Sequence, residues 1–195
     1  MIVGITGGSG SGKTTALKVL ESFGAVILDC DAIYHKLLKT DHTLLRAIEN
    51  RFPGTVENGQ LQRKRLGQIV FADEAALADL NHITHSAVIE EVKKHLSAPK
   101  GLFAIDAIGL FESGLNLLCD VTVAVIAPLD LRVERLMMRD NISKEYALSR
   151  IHAQPLDEAF AQKCDHVLVN DGSEESFREK CLAFFPQWGI IKENQ

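Results

Sequence analysis

The stretch Gly7-Gly8-Ser9-Gly10-Ser11-Gly12-Lys13-Thr14 constrains this chain of 195 residues more than any other segment. It completes the glycine-rich pattern that joins a strand to a helix and cradles the phosphates of a nucleoside triphosphate. A polyphosphate can be held by backbone N–H groups only where no Cβ blocks its approach, and the glycines at 7, 8, 10 and 12 meet that demand. Lys13 is positioned to reach the β- and γ-phosphates, and the Thr14 hydroxyl to ligate Mg²⁺. The following helix would turn its partly positive N-terminus toward the anion. The flanks agree: Ile2, Val3 and Ile5 form an apolar run suited to a buried strand, and Ala16, Leu17 and Leu20 have helical spacing.

The same apolar character recurs at residues 1–6, 25–28, 102–105, 121–126 and 166–169, with helical patterns between the runs. Near-continuous hydrophobicity in each run predicts a parallel sheet covered by helices on both faces, an α/β fold of three layers. Residues 31–97 break this rhythm with helical patterns, a turn at Glu57-Asn58-Gly59 and no core strand, so a helical insertion is expected there. Asp73 is placed to cap the helix that runs through Ala75, Leu77 and Leu80. Residues 128–154 pair two helical patterns around Asp140-Asn141, with Leu129, Val133, Leu136 and Met137 as the expected buried face.

At 195 residues the chain can form one sizeable domain carrying an insertion. No apolar stretch approaches the roughly 20 residues that span a bilayer, which leaves a membrane role unsupported. The N-terminal residues lack a basic region followed by a long apolar segment, so the expected compartment is the cytoplasm. A formal net charge of −5 disfavours broad binding to nucleic acid. Cys30, Cys119, Cys164 and Cys181 are too scattered for a zinc site or a disulfide framework.

Several side chains carry two readings. Asp31 follows the second apolar run, where it is either the carboxylate that orients an acceptor hydroxyl or the N-cap of the next helix; Asp29 beside it reads as structural. Arg132, Arg135 and Arg139 form a stripe at i, i+3 and i+7, with Arg150 in the next helix. The stripe is either a solvated face or part of a lid that closes on the transferring phosphate. Arg63, Lys64 and Arg65 are either solvent-exposed or a site for a second anion on the acceptor. His82 and His85 suit packing or a substrate hydrogen bond better than metal. Asp106 fits a magnesium-ordering carboxylate, or a GTPase switch element in Asp106-Ala107-Ile108-Gly109.

Taken in order, these pieces resemble dephospho-coenzyme A kinase, a family of phosphate-loop kinases, over essentially the whole chain. Beyond the loop, the matching residues include Asp29-Cys30-Asp31 with His35, Arg63 with Leu66-Gly67, Ile83-Thr84-His85, and Leu110-Phe111-Glu112-Ser113-Gly114. Arg135 with Arg139-Asp140, Arg150-Ile151 with Gln154, and Asp165 through Asn170 complete the match. Two departures stand out: Ser86 follows His85 where the family usually has proline, and Ile108-Gly109-Leu110 replaces Pro-Leu-Leu.

The resemblance implies transfer of the ATP γ-phosphate, with Mg²⁺, to the ribose 3′-hydroxyl of dephospho-coenzyme A. It makes Asp31, Lys13 and Arg139 the catalytic set. ATP would be held by Gly8, Ser9, Gly10, Ser11, Gly12, Lys13, Thr14, Thr15, Arg139 and Asn170, and the metal by Thr14. His35, Arg63, His85 and Glu112 would face the acceptor in the insertion and beside it, while 128–154 would form the lid. The expected assembly is a monomer or weak homo-oligomer. The alternatives are a phosphate-loop kinase of another small hydroxyl acceptor, such as a nucleoside, and a GTP-dependent switch protein. The latter lacks an Asn-Lys-x-Asp element, since Asn170-Asp171-Gly172 has no lysine.

Overall fold

The computed structural model describes residues 1–97 and 101–191. It divides into two compact units, Met1–Leu28 with Lys100–Gln195, and Asp29–Pro99.

The first unit is built on the strands β1 (Ile2–Thr6), β2 (Val26–Asp29), β5 (Phe103–Asp106), β6 (Val121–Ile126) and β7 (His166–Val169), in the order β2-β5-β1-β6-β7. All five apolar runs are strands, with ends within one residue of the expected positions. β1 is central and pairs in parallel with β5 and β6, for example Ile5 with Asp106 and Val123. Parallel strands need crossovers, and helices supply them. α1 (Lys13–Ser22) and α9 (Glu174–Gln187) pack together on one face. There Val3, Ile5, Leu20, Val123, Phe177 and Phe185 form a core. Phe177 and Phe185 are almost wholly buried, and each such burial contributes about 1.5–3 kcal/mol. α8 (Asp157–Lys163) packs on β6. α6 (Leu129–Asp140) and α7 (Lys144–His152) pack as a pair over Val133, Leu136, Ala147 and Ile151. Asn141, in the left-handed conformation at φ 50°, ends α6 where the Asp140-Asn141 break was expected. Leu129 departs from the expected buried face: it opens α6, before the helix has a neighbour to cover it, and is 45% exposed.

In the second unit, α2 (Cys30–Thr40), α3 (His42–Arg51) and α4 (Arg63–Val70) each pack on α5 (Glu74–Leu96), and a two-stranded hairpin, β3 (Val56–Glu57) with β4 (Gln60–Leu61), packs on α3 and α2. The hairpin turns on Asn58 and Gly59, both at positive φ (50° and 73°), as a two-residue turn that follows the strand twist requires. Asp73 caps α5 by accepting from the N–H groups of Ala75 and Ala76. Ser86 lies within this 23-residue helix. Its hydroxyl donates to the carbonyl of His82, and a proline there would remove a backbone donor in mid-helix. No helix among the described residues is long and apolar enough to cross a membrane.

Candidate active site

The phosphate loop leaves the carboxyl end of β1 and enters α1 at Lys13, the end of a parallel sheet at which ligands bind. Gly12 sits at φ 102°, and a Cβ on it would lie 2.1 Å from Asn170 Nδ2. Glycine is therefore demanded twice, by the backbone and by the side chain packed beneath. Lys13 Nζ folds back on its own loop, donating to the carbonyls of Gly7 (2.7 Å) and Gly8 (3.4 Å). Thr14 is exposed in the first turn of α1, and Thr15 is half-buried.

The loop rests on side chains from distant parts of the chain. Asn170, 3% exposed, donates from Nδ2 to the carbonyl of Ser11 (2.8 Å). Its Oδ1 accepts from Arg135 Nη2 (3.0 Å), which also donates to the carbonyl of Gly172 (2.9 Å). Arg135 Nη1 reaches the carbonyl of Gly10 (3.4 Å). Arg132 Nε donates to the carbonyl of Ser9 (3.0 Å), and its Nη1 pairs with Asp157 (2.6 Å), which also accepts from the N–H of Ala127. Gln154 bonds the N–H and the hydroxyl of Ser9. Asp157 and the contacts of Gln154 have no local sequence signal, because their partners lie 25 and 145 residues away along the chain.

The arginine stripe is thus three environments rather than one surface. Arg132 is buried, Arg135 is half-buried under the loop, and Arg139 is exposed. Arg139 and Arg150 both donate to Asp140, and their guanidinium groups, that of Arg139 first, hold the Asp140 carboxyl well below the usual carboxylate range. Glu112 pairs with Lys163 (2.8 Å), whose amine lies 5.7 Å from the Phe111 ring.

Hydroxyl and carboxylate oxygens are the hard donors that Mg²⁺ takes, and a cation carried on phosphates needs only one or two from the protein. Thr14 at the loop exit and Asp106 at the end of β5 offer that chemistry at the same end of the sheet. No group of three or more His, Cys, Asp or Glu side chains that could hold a metal occurs among the described residues.

In the helical unit, Asp29 rather than Asp31 caps α2, accepting from the N–H of Ala32 (2.9 Å). Asp31 lies exposed in the first turn. His35 and Arg63 come together, with Nη2 of Arg63 3.5 Å from His35 Nδ1. Both line a cavity of about 220 Å³ with Tyr34, Leu38, Leu66 and Phe71. Burial raises the Tyr34 phenol, against a smaller lowering by Arg63. Arg65 is tied to Glu57 and to the carbonyl of Gly54, while Lys64 is exposed. Asp31 and His85 do not line this cavity; His85 is half-buried on α5.

A family model described as dephospho-CoA kinase matches residues 1–176. The dephospho-CoA kinase of Carboxydothermus hydrogenoformans is 36% identical over 194 residues, covering 96% of this chain and 94% of that protein. Among solved structures, TT1252 from Thermus thermophilus aligns with a TM-score of 0.78 at 34% identity, with 94% of each chain covered. The dephospho-CoA kinase from Campylobacter jejuni aligns at 0.67 and 27%, with 96% of each covered. The likeness therefore extends well past the phosphate loop and along nearly the whole length, and the chain belongs to the dephospho-CoA kinase family.

Proposed function

We propose that this protein transfers the γ-phosphoryl group of ATP to the ribose 3′-hydroxyl of dephospho-coenzyme A, giving coenzyme A and ADP. The observation that carries the reading is the phosphate loop itself, with Lys13 held at the loop carbonyls and Asn170, Arg135 and Arg132 set behind it. Family membership makes the chain an ATP-dependent phosphotransferase with a hydroxyl acceptor.

In this reading the acceptor oxygen bonds to the γ-phosphorus as the bond to the β,γ-bridging oxygen breaks, and the hydroxyl proton leaves late toward Asp31. An ordinary carboxylate suffices, because a loose transition state asks mainly for positioning. Gly8 through Thr15 cradle the phosphates, with Lys13 exchanging its loop carbonyls for phosphate oxygens. Asn170 lies on the adenine side, and Arg139 reaches the transferring group from the helical pair at 128–154, acting as a lid. His35, Arg63, His85 and Glu112 hold the acceptor, with residues 31–97 as its binding region. Thr14 would hold Mg²⁺, which would supply charge neutralisation at the β- and γ-phosphates. The enzyme works in the cytoplasm as a monomer or weak homo-oligomer.

The test is ADP formation from ATP and Mg²⁺ with and without dephospho-coenzyme A, with mass spectrometry of the acceptor product. Acceptor-dependent ADP matched by coenzyme A is expected. ADP release indifferent to the acceptor would overturn the assignment and direct attention to other hydroxyl acceptors.

A further inference from the structure

Every polar group of Ser9 is engaged by α6 or by the chain just after α7. Its N–H donates to Gln154 Oε1 (2.8 Å), its hydroxyl accepts from Gln154 Nε2 (2.8 Å), and its carbonyl accepts from Arg132 Nε (3.0 Å). Arg132 is only 4% exposed and is itself fixed by Asp157. Its remaining nitrogen, Nη2, is buried without a hydrogen-bond partner among the described residues, and a Cβ on Gly8 would come within 2.0 Å of it. The guanidinium is therefore wedged against the loop backbone at Gly8 while it bonds Ser9.

Resting on the ATP-dependent reading above, we infer that Gln154 and Arg132 are positioning residues that clamp Ser9 and hold the glycine-rich loop in its phosphate-accepting shape before nucleotide arrives. Glycine-rich backbone has the most conformational freedom to lose, so an unclamped loop would pass that entropy loss on to nucleotide binding. The clamp moves the loss into folding, where the sheet and α1 already restrain both ends of the loop. Neither side chain touches the reacting atoms. Both act through the loop, and the segment that supplies them also carries Arg139 and Arg150, so the base of the helical pair is joined to the loop at Ser9, next to the Gly10 carbonyl that Arg135 reaches.

The test is calorimetric titration of ATP and Mg²⁺ without acceptor, beside thermal melting and acceptor KM. Gln154 is half-buried, so Gln154→Ala is expected to fold, with a small change in Tm. Its ATP Kd should rise about tenfold, the scale of losing one or two sheltered hydrogen bonds, while acceptor KM stays unchanged. Ser9→Ala should weaken ATP in the wild-type background and add little in the Gln154→Ala background, because both changes break the same bond. Arg132→Ala would strand the Asp157 carboxylate; Arg132→Met with Asp157→Asn removes both charges and should also weaken ATP binding. ATP affinity within twofold of wild type in Gln154→Ala overturns the clamp. Tighter binding also overturns it, since it would mean that the Ser9 N–H must be released for phosphate. Wild-type protein that binds ATP yet does not phosphorylate dephospho-coenzyme A defeats the acceptor assignment and leaves the clamp standing; wild-type protein that binds no ATP defeats both.

Discussion

Asp140 accepts from both Nε (2.7 Å) and Nη2 (2.9 Å) of Arg139, so the arginine near the end of α6 is held by a two-pronged bond to its own neighbour. Arg150 Nη1 adds a third donor at 2.5 Å. If Arg139 meets the transferring phosphate, Arg139→Ala should lower kcat by roughly 10³-fold, within the range reported for arginines that stabilise phosphoryl transfer. ATP affinity should change far less. Steady-state kinetics with a separate nucleotide titration distinguishes the two effects, and a kcat within a few-fold of wild type removes Arg139 from the chemistry.

Asp29 and Asp31 stand two residues apart with different expected jobs. Asp29→Ala should cost ~1 kcal/mol of stability through the lost cap on α2 while leaving kcat near wild type. Asp31→Asn should do the reverse, lowering kcat by orders of magnitude with Tm and ATP affinity preserved. Denaturant titration and kinetics on both variants decide, and a normal kcat in Asp31→Asn returns that carboxylate to the surface.

Gly12→Ala tests whether the loop tolerates any side chain where Asn170 lies beneath it. A φ of 102° and a 2.1 Å approach to Asn170 Nδ2 make the substitution strained in backbone and side chain alike. The left-handed conformation alone costs on the order of 1–2 kcal/mol in a residue with a Cβ. Thermal melting should show that loss, and nucleotide titration should show weaker binding. Gly24→Ala, at φ 86° with nothing within 4 Å of the added carbon, serves as the control for backbone strain without the clash.

Asp165 supplies a pH test. Its carboxylate accepts from the hydroxyl (2.7 Å) and the N–H (2.8 Å) of Thr122, which together hold its pKa below the ordinary value, the hydroxyl contributing most. A carboxyl whose pKa is lower folded than unfolded contributes stability above the unfolded value, near 4, and loses it as pH falls through the folded value. Tm of the wild type should therefore fall more steeply below about pH 4 than Tm of Asp165→Asn, with parallel curves from pH 6 to 8. Identical acid limbs would show that this junction of β6 and β7 gains nothing from the charge.

The thiols make a chemical prediction. Burial, the largest cause in each case, pushes Cys119 and Cys181 to about 12 and Cys164 to about 11. Alkylation goes through the thiolate, so all three should react with iodoacetamide at pH 8 at least about a hundred-fold more slowly folded than unfolded. Peptide mass mapping reads each site, and rapid labelling of Cys181 in native protein would contradict its packing in the core.

The sheet was legible in the sequence because a parallel strand buried on both faces must be apolar at nearly every position, as residues 121–126 are. The phosphate loop was legible because its chemistry needs a contiguous run. The jobs of the arginines were not. Spacing puts Arg132, Arg135 and Arg139 near one side of a helix, but it cannot say that Ser9 and Asp157 cover the first, that Asn170 meets the second, or that Asp140 turns back to the third. The reading of Asp31 as a cap failed for a local reason: Asp29 has the extended backbone of an N-cap and reaches the N–H three residues on, which leaves Asp31 already inside the first turn of the helix.

The central place of β1 has a consequence for how the protein comes apart. Flanked by β5 and β6 and covered by α1 and α9, β1 has neighbours on both edges, whereas β2 and β7 close the sheet. Amide protons exchange with solvent most slowly where opening requires the whole structure to open, and strands enclosed in this way are the last to yield. The phosphate loop is suspended from that strand, so partial unfolding that frays β7 or the helical pair would leave its upstream attachment in place.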